Sequence, residues 1–184
     1  MMYWIAFGAF ALFFLSDLND RFFHRKALKV LFPAGALGLV AATVGMVARG
    51  RAYLPLAARL PLMLAAFVCL FWMTKALFFS IPATESYARP GEARAVCTTG
   101  VYALCRHPGV LFFIMAYLLL CPAFGMELCF ALLCSALNVA LALFEDVLIF
   151  PVLLRGYPVY KKATPFLIPT RSSIKKARGG GARA

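Results

Sequence analysis

The chain has 184 residues, of which 64% are hydrophobic and 14% charged, and it carries a formal net charge of +12 at pH 7. A mean hydropathy of +0.86 excludes an ordinary soluble domain and points to lipid as the surrounding solvent. The basic excess flanks apolar runs and comes with no nucleic-acid-binding motif, so it reads as a membrane signature and not as a DNA or RNA surface.

Five apolar runs suit membrane spans, which need roughly 20 residues with about 17–25 tolerated. They cover 2–16, 30–48, 61–81, 108–124 and 128–150. The first opens Met1-Met2-Tyr3-Trp4 without a basic leader, so it is expected to stay attached and not to be cleaved as a signal. Arg21, Arg25, Lys26 and Lys29 follow it, and Arg89, Arg94 and Arg106 precede the fourth run. Arg155, Lys161, Lys162, Arg171, Lys175, Lys176, Arg178 and Arg183 follow the fifth, while only Arg49, Arg51 and Arg59 fall on the opposite side. The positive-inside rule then puts the N-terminus outside, and the 82–107 segment and the C-terminus in the cytoplasm.

The fold expected is all-α, a polytopic membrane helix bundle with about five transmembrane helices. Residues 1–170 make one domain, and 171–184, with Gly179-Gly180-Gly181, read as a flexible basic tail. Trp4 and Trp72 are expected as interfacial anchors. Lys75 is expected to snorkel, with pairing to Asp146 as the sharper alternative. Asp17 and Asp20 are expected to pair with the neighbouring cations, and His24 to sit in a solvated flank.

Three features carry chemistry. The first is Thr98-Thr-Gly-Val-Tyr-Ala-Leu-Cys-Arg-His-Pro-Gly109, which holds His107, one of two histidines. An Arg-His pair at the mouth of an apolar helix is costly near lipid unless it faces water, a partner or a ligand. Pro108 suits the first helical turn, whose free N–H groups and positive dipole end would then lie beside Arg106 and His107. The plainer alternative is a charged flank that fixes topology.

The second feature is Glu145-Asp146, which interrupts an apolar stretch roughly 25 Å along the fifth helix. Ser135, Asn138, Ala142 and Glu145 recur at helical spacing and share one face, with Asp146 about 100° away. A packing seam accounts for Ser135 and Ala142 but not for Glu145, a charge too costly to serve as a spacer. The third is Tyr157-Pro-Val-Tyr160-Lys161-Lys162 with Pro165 and Ile168-Pro169, which taken alone reads as interfacial anchoring. The six cysteines form no C-x-x-C pair, so no metal site is expected and most read as small packing residues.

In this order, Thr-Thr-Gly-Val-Tyr-x-x-x-Arg-His-Pro, Glu-Asp at the end of a long helix, Tyr-x-x-Tyr, Pro165 and Ile168-Pro169 resemble the isoprenylcysteine carboxyl methyltransferase family. Its wider group includes membrane phospholipid N-methyltransferases. The similarity runs from about Val96 to Pro169. It implies a helical bundle that binds S-adenosylmethionine at the cytoplasmic face and methylates an apolar or lipid-borne acceptor. Carried over, Tyr102, Arg106, His107, Pro108, Gly109 and Val110 would line the cofactor, Val96 and Cys97 would contribute backbone, and Glu145 would bind its amino-acid or ribose part.

Departures from the family pattern bear on the acceptor. Leu141 stands where the family has a substrate-facing Arg, so a prenylcysteine carboxylate loses its partner. Val110 replaces an aromatic, Glu-Asp replaces Glu-Glu, and Leu153-Leu154 replaces Phe-Gly. Sterol reductases are similar in their Arg-His-Pro and Tyr-x-x-Tyr motifs but use NADPH, for whose 2′-phosphate Arg94 and Arg106 are the available cations. A non-catalytic relative is the third reading. High Ala, Gly and Arg content suggests a bacterial inner membrane.

Overall fold

The computed structural model describes residues 1–79 and 94–180, and of residues 78, 79, 94, 179 and 180 the backbone alone. Arg89 and Arg183 of the topology argument, and the last two residues of the expected third span, lie outside the described residues.

Long apolar helices dominate. Helix α1 (Met2–Leu18) runs on through a wider π turn at Asn19–Phe23, and α2 (Leu31–Arg49) follows a 3₁₀ turn at Lys26–Val30. Asn19 closes the hairpin between them: its Nδ2 donates to the Arg25 carbonyl (3.2 Å) and its Oδ1 accepts from the Arg25 amide (3.0 Å). A fully buried amide is thereby satisfied on both sides. Along α2, Gly35, Gly38, Ala42 and Gly45 form a stripe of small residues toward α1. A Cβ at Gly35 would meet the Ala9 carbonyl at 2.9 Å, so the two backbones approach too closely for a side chain there.

Helix α3 (Leu56–Phe79) begins earlier than the apolar run suggests and carries Pro61 inside its second turn. Helix α4 (Pro108–Phe124) matches the expected run, with Pro108 at its first position. Helix α5 (Leu128–Phe144) continues through a π turn, Glu145–Ile149, into a short α6 (Phe150–Leu153). Pro151 has no N–H and its ring crowds the carbonyl four residues back, so the helix changes register just ahead of it. Met2–Phe23, Lys26–Arg49, Leu56–Leu77 and Leu128–Leu153 are long and apolar enough to cross a membrane. At 17 residues, α4 rises only about 25 Å and is the short member of the set.

The bundle packs α1 on α2, α3 on α4 and α4 on α5, with α1 also touching α5. Rings fill the centre. Phe113 stacks on Tyr117 (4.1 Å between centroids), Phe10 meets Phe113 edge-on (6.5 Å), and Tyr117 and Tyr3 both reach Phe130. The Tyr117 hydroxyl pairs with Thr43 of α2 at 2.6 Å, which satisfies it inside the core. Leu37, Val40 and Val44 on α2, and Leu64, Phe67 and Phe71 on α3, face outward and exposed. Such a continuous apolar exterior suits lipid.

Two short segments matter for the site. A parallel two-residue pairing joins β1 (Arg94–Ala95) to β2 (Leu154–Arg155), and Gly156 then adopts φ 84° at the start of α7 (Tyr157–Ala163). The C-terminal segment departs from the flexible tail expected of it. Arg171–Gly180 forms helix α8, started by reciprocal Thr170–Ser173 bonds of 3.0 and 3.3 Å, a capping arrangement that composition alone hides. The six cysteines are free thiols.

At the far end of the bundle, Gly125 takes φ 73° between α4 and α5, where any Cβ would run into the Arg51 backbone. Gly125→Ala is therefore expected to cost about 1–3 kcal/mol from the strained backbone alone, with the collision adding to it. A melting temperature of the detergent-purified variant equal to that of the parent would contradict this account of the turn.

Candidate functional site

The site grows from Asp146. The π turn aims its carboxylate into the protein, where it is 3% exposed. Arg106 approaches with two parallel bonds, Nε to Oδ1 at 2.7 Å and Nη2 to Oδ2 at 3.2 Å. Lys161 donates to Oδ2 (2.7 Å) and to the Asp146 carbonyl (3.0 Å), and Tyr157 donates to Oδ1 at 2.5 Å. One carboxylate thus joins the loop before α4, the end of α5, and α7. The remaining Arg106 donor, Nη1, reaches the carbonyls of Lys161 (2.9 Å) and Thr164 (2.6 Å).

Backbone bonds close the same junction. The Arg106 amide donates to the Pro165 carbonyl (2.9 Å) and the His107 amide to that of Phe166 (3.2 Å). The Tyr160 hydroxyl donates to the Tyr102 carbonyl at 2.7 Å, and the Tyr102 hydroxyl donates to the Ala76 carbonyl at 3.0 Å. Burial and the adjacent Asp146 push the Tyr157 phenol well above its ordinary value, so it remains a donor.

His107 sits at the helix N-terminus between the two acids. Its Nδ1 lies 3.9 Å from Glu145 Oε2 and its Nε2 lies 3.6 Å from Asp146 Oδ1, both beyond hydrogen-bond length. Phe150 stacks on the ring (5.7 Å, 13°) and Phe166 covers its edge (5.0 Å). Burial, reinforced by Arg106 and Lys161 and opposed by Asp146, pushes the imidazole down to about 4, so it is neutral near pH 7. Its Nε2 is buried and has no hydrogen-bond partner.

The expected residues come together unevenly. His107, Pro108 and Glu145 meet at one spot, and Val110 is buried on the first turn of α4 behind them. Gly109 faces Leu77 of α3. The Val96 amide is bonded to the Arg155 carbonyl (3.1 Å), which fixes the strand leading to Cys97. Arg106, expected to face the ligand, has its donors committed to Asp146 and to backbone carbonyls, so it holds the junction together. Asp146 does not reach Lys75, whose ammonium lies over the Trp72 ring at 4.7 Å. Leu141 packs against the hydrophobic core.

A cavity of about 490 Å³ opens beside this junction, lined mainly by Trp72, Lys75, Cys97, Gly100, Val101 and Ala177 of α8. Its size falls within the roughly 300–1,000 Å³ typical of small-molecule sites. Sequence reasoning missed the central place of Asp146 because an ideal helix turns it away from the Glu145 face. The readable signal was Tyr157, Tyr160 and Lys161 recurring soon after the acid pair. Among the described residues no cluster of His, Cys, Asp and Glu suits a metal ion. No protein-family model, no curated protein and no solved structure matches the chain.

Three outcomes test this geometry. Asp146→Asn leaves Arg106 and Lys161 facing each other without a carboxylate, and thermal unfolding should show a loss of about 3–5 kcal/mol. Lys161→Met, at a side chain 38% exposed, should cost under about 1 kcal/mol. His107 binds a proton more readily in the unfolded chain, near pH 6.5, than in the folded one, near 4. Stability should therefore fall as pH drops through that window, and His107→Gln should flatten that part of the melting profile.

Proposed function

We propose that this chain is an integral membrane methyltransferase that uses S-adenosylmethionine on an apolar or lipid-borne acceptor. The observation that carries the reading is the convergence of Arg106-His107-Pro108, Glu145-Asp146 and Tyr157/Tyr160, far apart in sequence, on one junction next to a cavity. Those are the motifs on which the family resemblance rests.

The residues present fit such a cofactor. Among the described residues no Lys or Arg lies within ion-pair distance of Glu145, and the nearby His107 is neutral, so the Glu145 carboxyl group is available to an ammonium group. The His107 Nδ1 atom, 3.9 Å from Glu145, offers a polar contact at the same place. Cys97, two residues past β1, lines the cavity, and the apolar walls at Gly100 and Val101 suit a flat ring. When bound, the cofactor supplies a methyl group already activated on a sulfonium. The protein's own work is then to bind, orient and exclude water, which strengthens the electrostatic contacts inside the site. Pro108 and Val110 present apolar surface there, and Phe150 and Phe166 hold the His107 ring in place.

Topology follows the same reading. The junction lies at the end of the bundle that carries Arg21, Arg25, Lys26, Arg155, Lys161 and Lys162, which supports a cytoplasmic site and C-terminus. A bacterial inner membrane is the setting that the composition favours. An NADPH-dependent reductase has weaker support, because Arg106, one cation available to a 2′-phosphate, is already bound to Asp146; the Arg94 side chain lies outside the described residues.

The test is thermal stability of the detergent-purified protein with S-adenosylmethionine, S-adenosylhomocysteine or NADPH. A ligand at 100 times its Kd should add about 2.7 kcal/mol. The expected result is a raised melting temperature with both adenosyl compounds that disappears in Glu145→Ala. A response to NADPH alone would move the protein to the reductases, and no response to any of the three would leave a non-catalytic relative.

A further inference from the structure

Helix α8 carries charges that neither the junction around Asp146 nor the core uses. Arg171, Lys175 and Arg178 recur at i, i+4 and i+7 and fall within about 60° of arc on an ideal helix. All three are exposed, and among the described residues no ion pair reaches any of them. Like charges one turn apart repel, so the stripe costs stability unless an anionic partner lies against it.

The protein itself holds α8 lightly. The helix packs on the 3₁₀ turn Gly100–Ala103, and its least exposed described side chains are Ser173, at 2%, and Ala177. Both are small and bury little apolar surface. At 10 residues the helix is also below the roughly 12–15 at which an isolated helix is even marginal in water. The reciprocal Thr170–Ser173 bonds fix its first turn only.

Its position is the edge of the lipid. Ala177 lines the cavity to which α3 contributes Trp72 and Lys75. The Lys75 ammonium lies over the Trp72 ring at 4.7 Å, and a tryptophan with a long cation suits the level where a membrane helix leaves the hydrocarbon. Leu64, Phe67 and Phe71, earlier on α3, are exposed and apolar. Ile168 and Ile174, on either side of the start of α8, are exposed as well. A cationic stripe beside exposed isoleucines has the chemistry of a segment that lies in the headgroup layer. A soluble acidic protein or a nucleic acid would meet the charges but leave the isoleucines in water.

We propose that Arg171, Lys175 and Arg178 bind the anionic headgroups of the protein's own bilayer, and that this contact holds α8 closed over the cavity. The stripe points away from Ser173 and Ala177, so both faces are occupied at once and lipid adds to the docked state. An anionic surface attracts each of the three cations, and on one helix face the attractions combine. In a neutral bilayer only the small-residue contacts remain, and the population shifts toward an open helix. Access to the cavity then rises as anionic lipid becomes scarce. The proposal does not rest on the methyltransferase reading, since it holds for whatever ligand the cavity takes.

The experiment reads access at Cys97, a half-buried thiol that lines the cavity. Cys69, Cys105, Cys121 and Cys134 are buried; the exposed Cys129, at the far end of the bundle, is the reference for the effect of surface charge on thiol reactivity. The full chain is placed in phosphatidylcholine nanodiscs with or without phosphatidylglycerol, and N-ethylmaleimide labelling of each cysteine is followed by peptide mass spectrometry. The expected result is a Cys97 rate, relative to Cys129, at least fivefold lower with phosphatidylglycerol. High salt should restore the rate, and so should the combined Arg171→Gln, Lys175→Gln and Arg178→Gln substitutions. Equal relative rates in the two bilayers, faster Cys97 labelling with phosphatidylglycerol, or protection that survives in the triple variant would each overturn the proposal. Protection by soluble polyglutamate in the neutral bilayer, with none from phosphatidylglycerol, would assign the stripe to an acidic protein and overturn it too. The comparison of bilayers and of salt within the parent protein stands even if the triple variant fails to fold.

Discussion

One buried carboxylate organises the functional end of this protein. Asp146 accepts from Arg106 of the loop before α4 and from Tyr157 and Lys161 of α7. Burying ions is costly, and a pair of this kind adds little net stability compared with well-packed apolar residues. What it supplies is geometry: the guanidinium fork admits one orientation, and the backbone carbonyls of Lys161 and Thr164 complete it. The loop before α4 and the segment after α7 are locked together as a result. His107 and Glu145 take their positions from that lock.

Apolar packing and polar geometry divide the molecule between them. Toward the middle of the bundle, aromatic stacking and small-residue contacts hold α1, α2, α4 and α5, and the only polar demand at Tyr117 is met by Thr43. Lipid offers the same apolar contacts as a helix face, so packing shape and the few buried hydrogen bonds must decide which helices associate. At the charged end the helices are broken on purpose: Pro151 shifts the register of α5, and Pro108 starts α4 where backbone N–H groups are free. Irregular backbone at that depth is tolerated because it is enclosed by protein.

Two acids side by side in sequence thereby acquire different tasks. Asp146 is saturated with donors, whereas among the described residues no Lys or Arg forms an ion pair with Glu145. His107 lies between them, neutral and stacked on Phe150.

The amino-acid sequence alone determined the helices and most of the residues that meet. Apolar runs of 17 residues or more had to be helical, because lipid leaves no other way to satisfy the backbone. Arg106-His107-Pro108, Glu145-Asp146 and Tyr157/Tyr160 stood out because polar groups at the ends of such runs are too costly to be incidental. Tertiary structure decided which partner each of them takes. An ideal helical wheel set Asp146 aside and favoured Glu145, but the π turn ahead of Pro151 re-aims the side chains by a rotation that no fixed period contains. Arg106 exchanged an expected ligand for Asp146, no ion pair reaches Asp17 among the described residues, and the basic C-terminal segment formed a capped helix whose Ala177 lines the cavity. Each of these depends on distances between distant segments, and spacing along a chain does not hold that information.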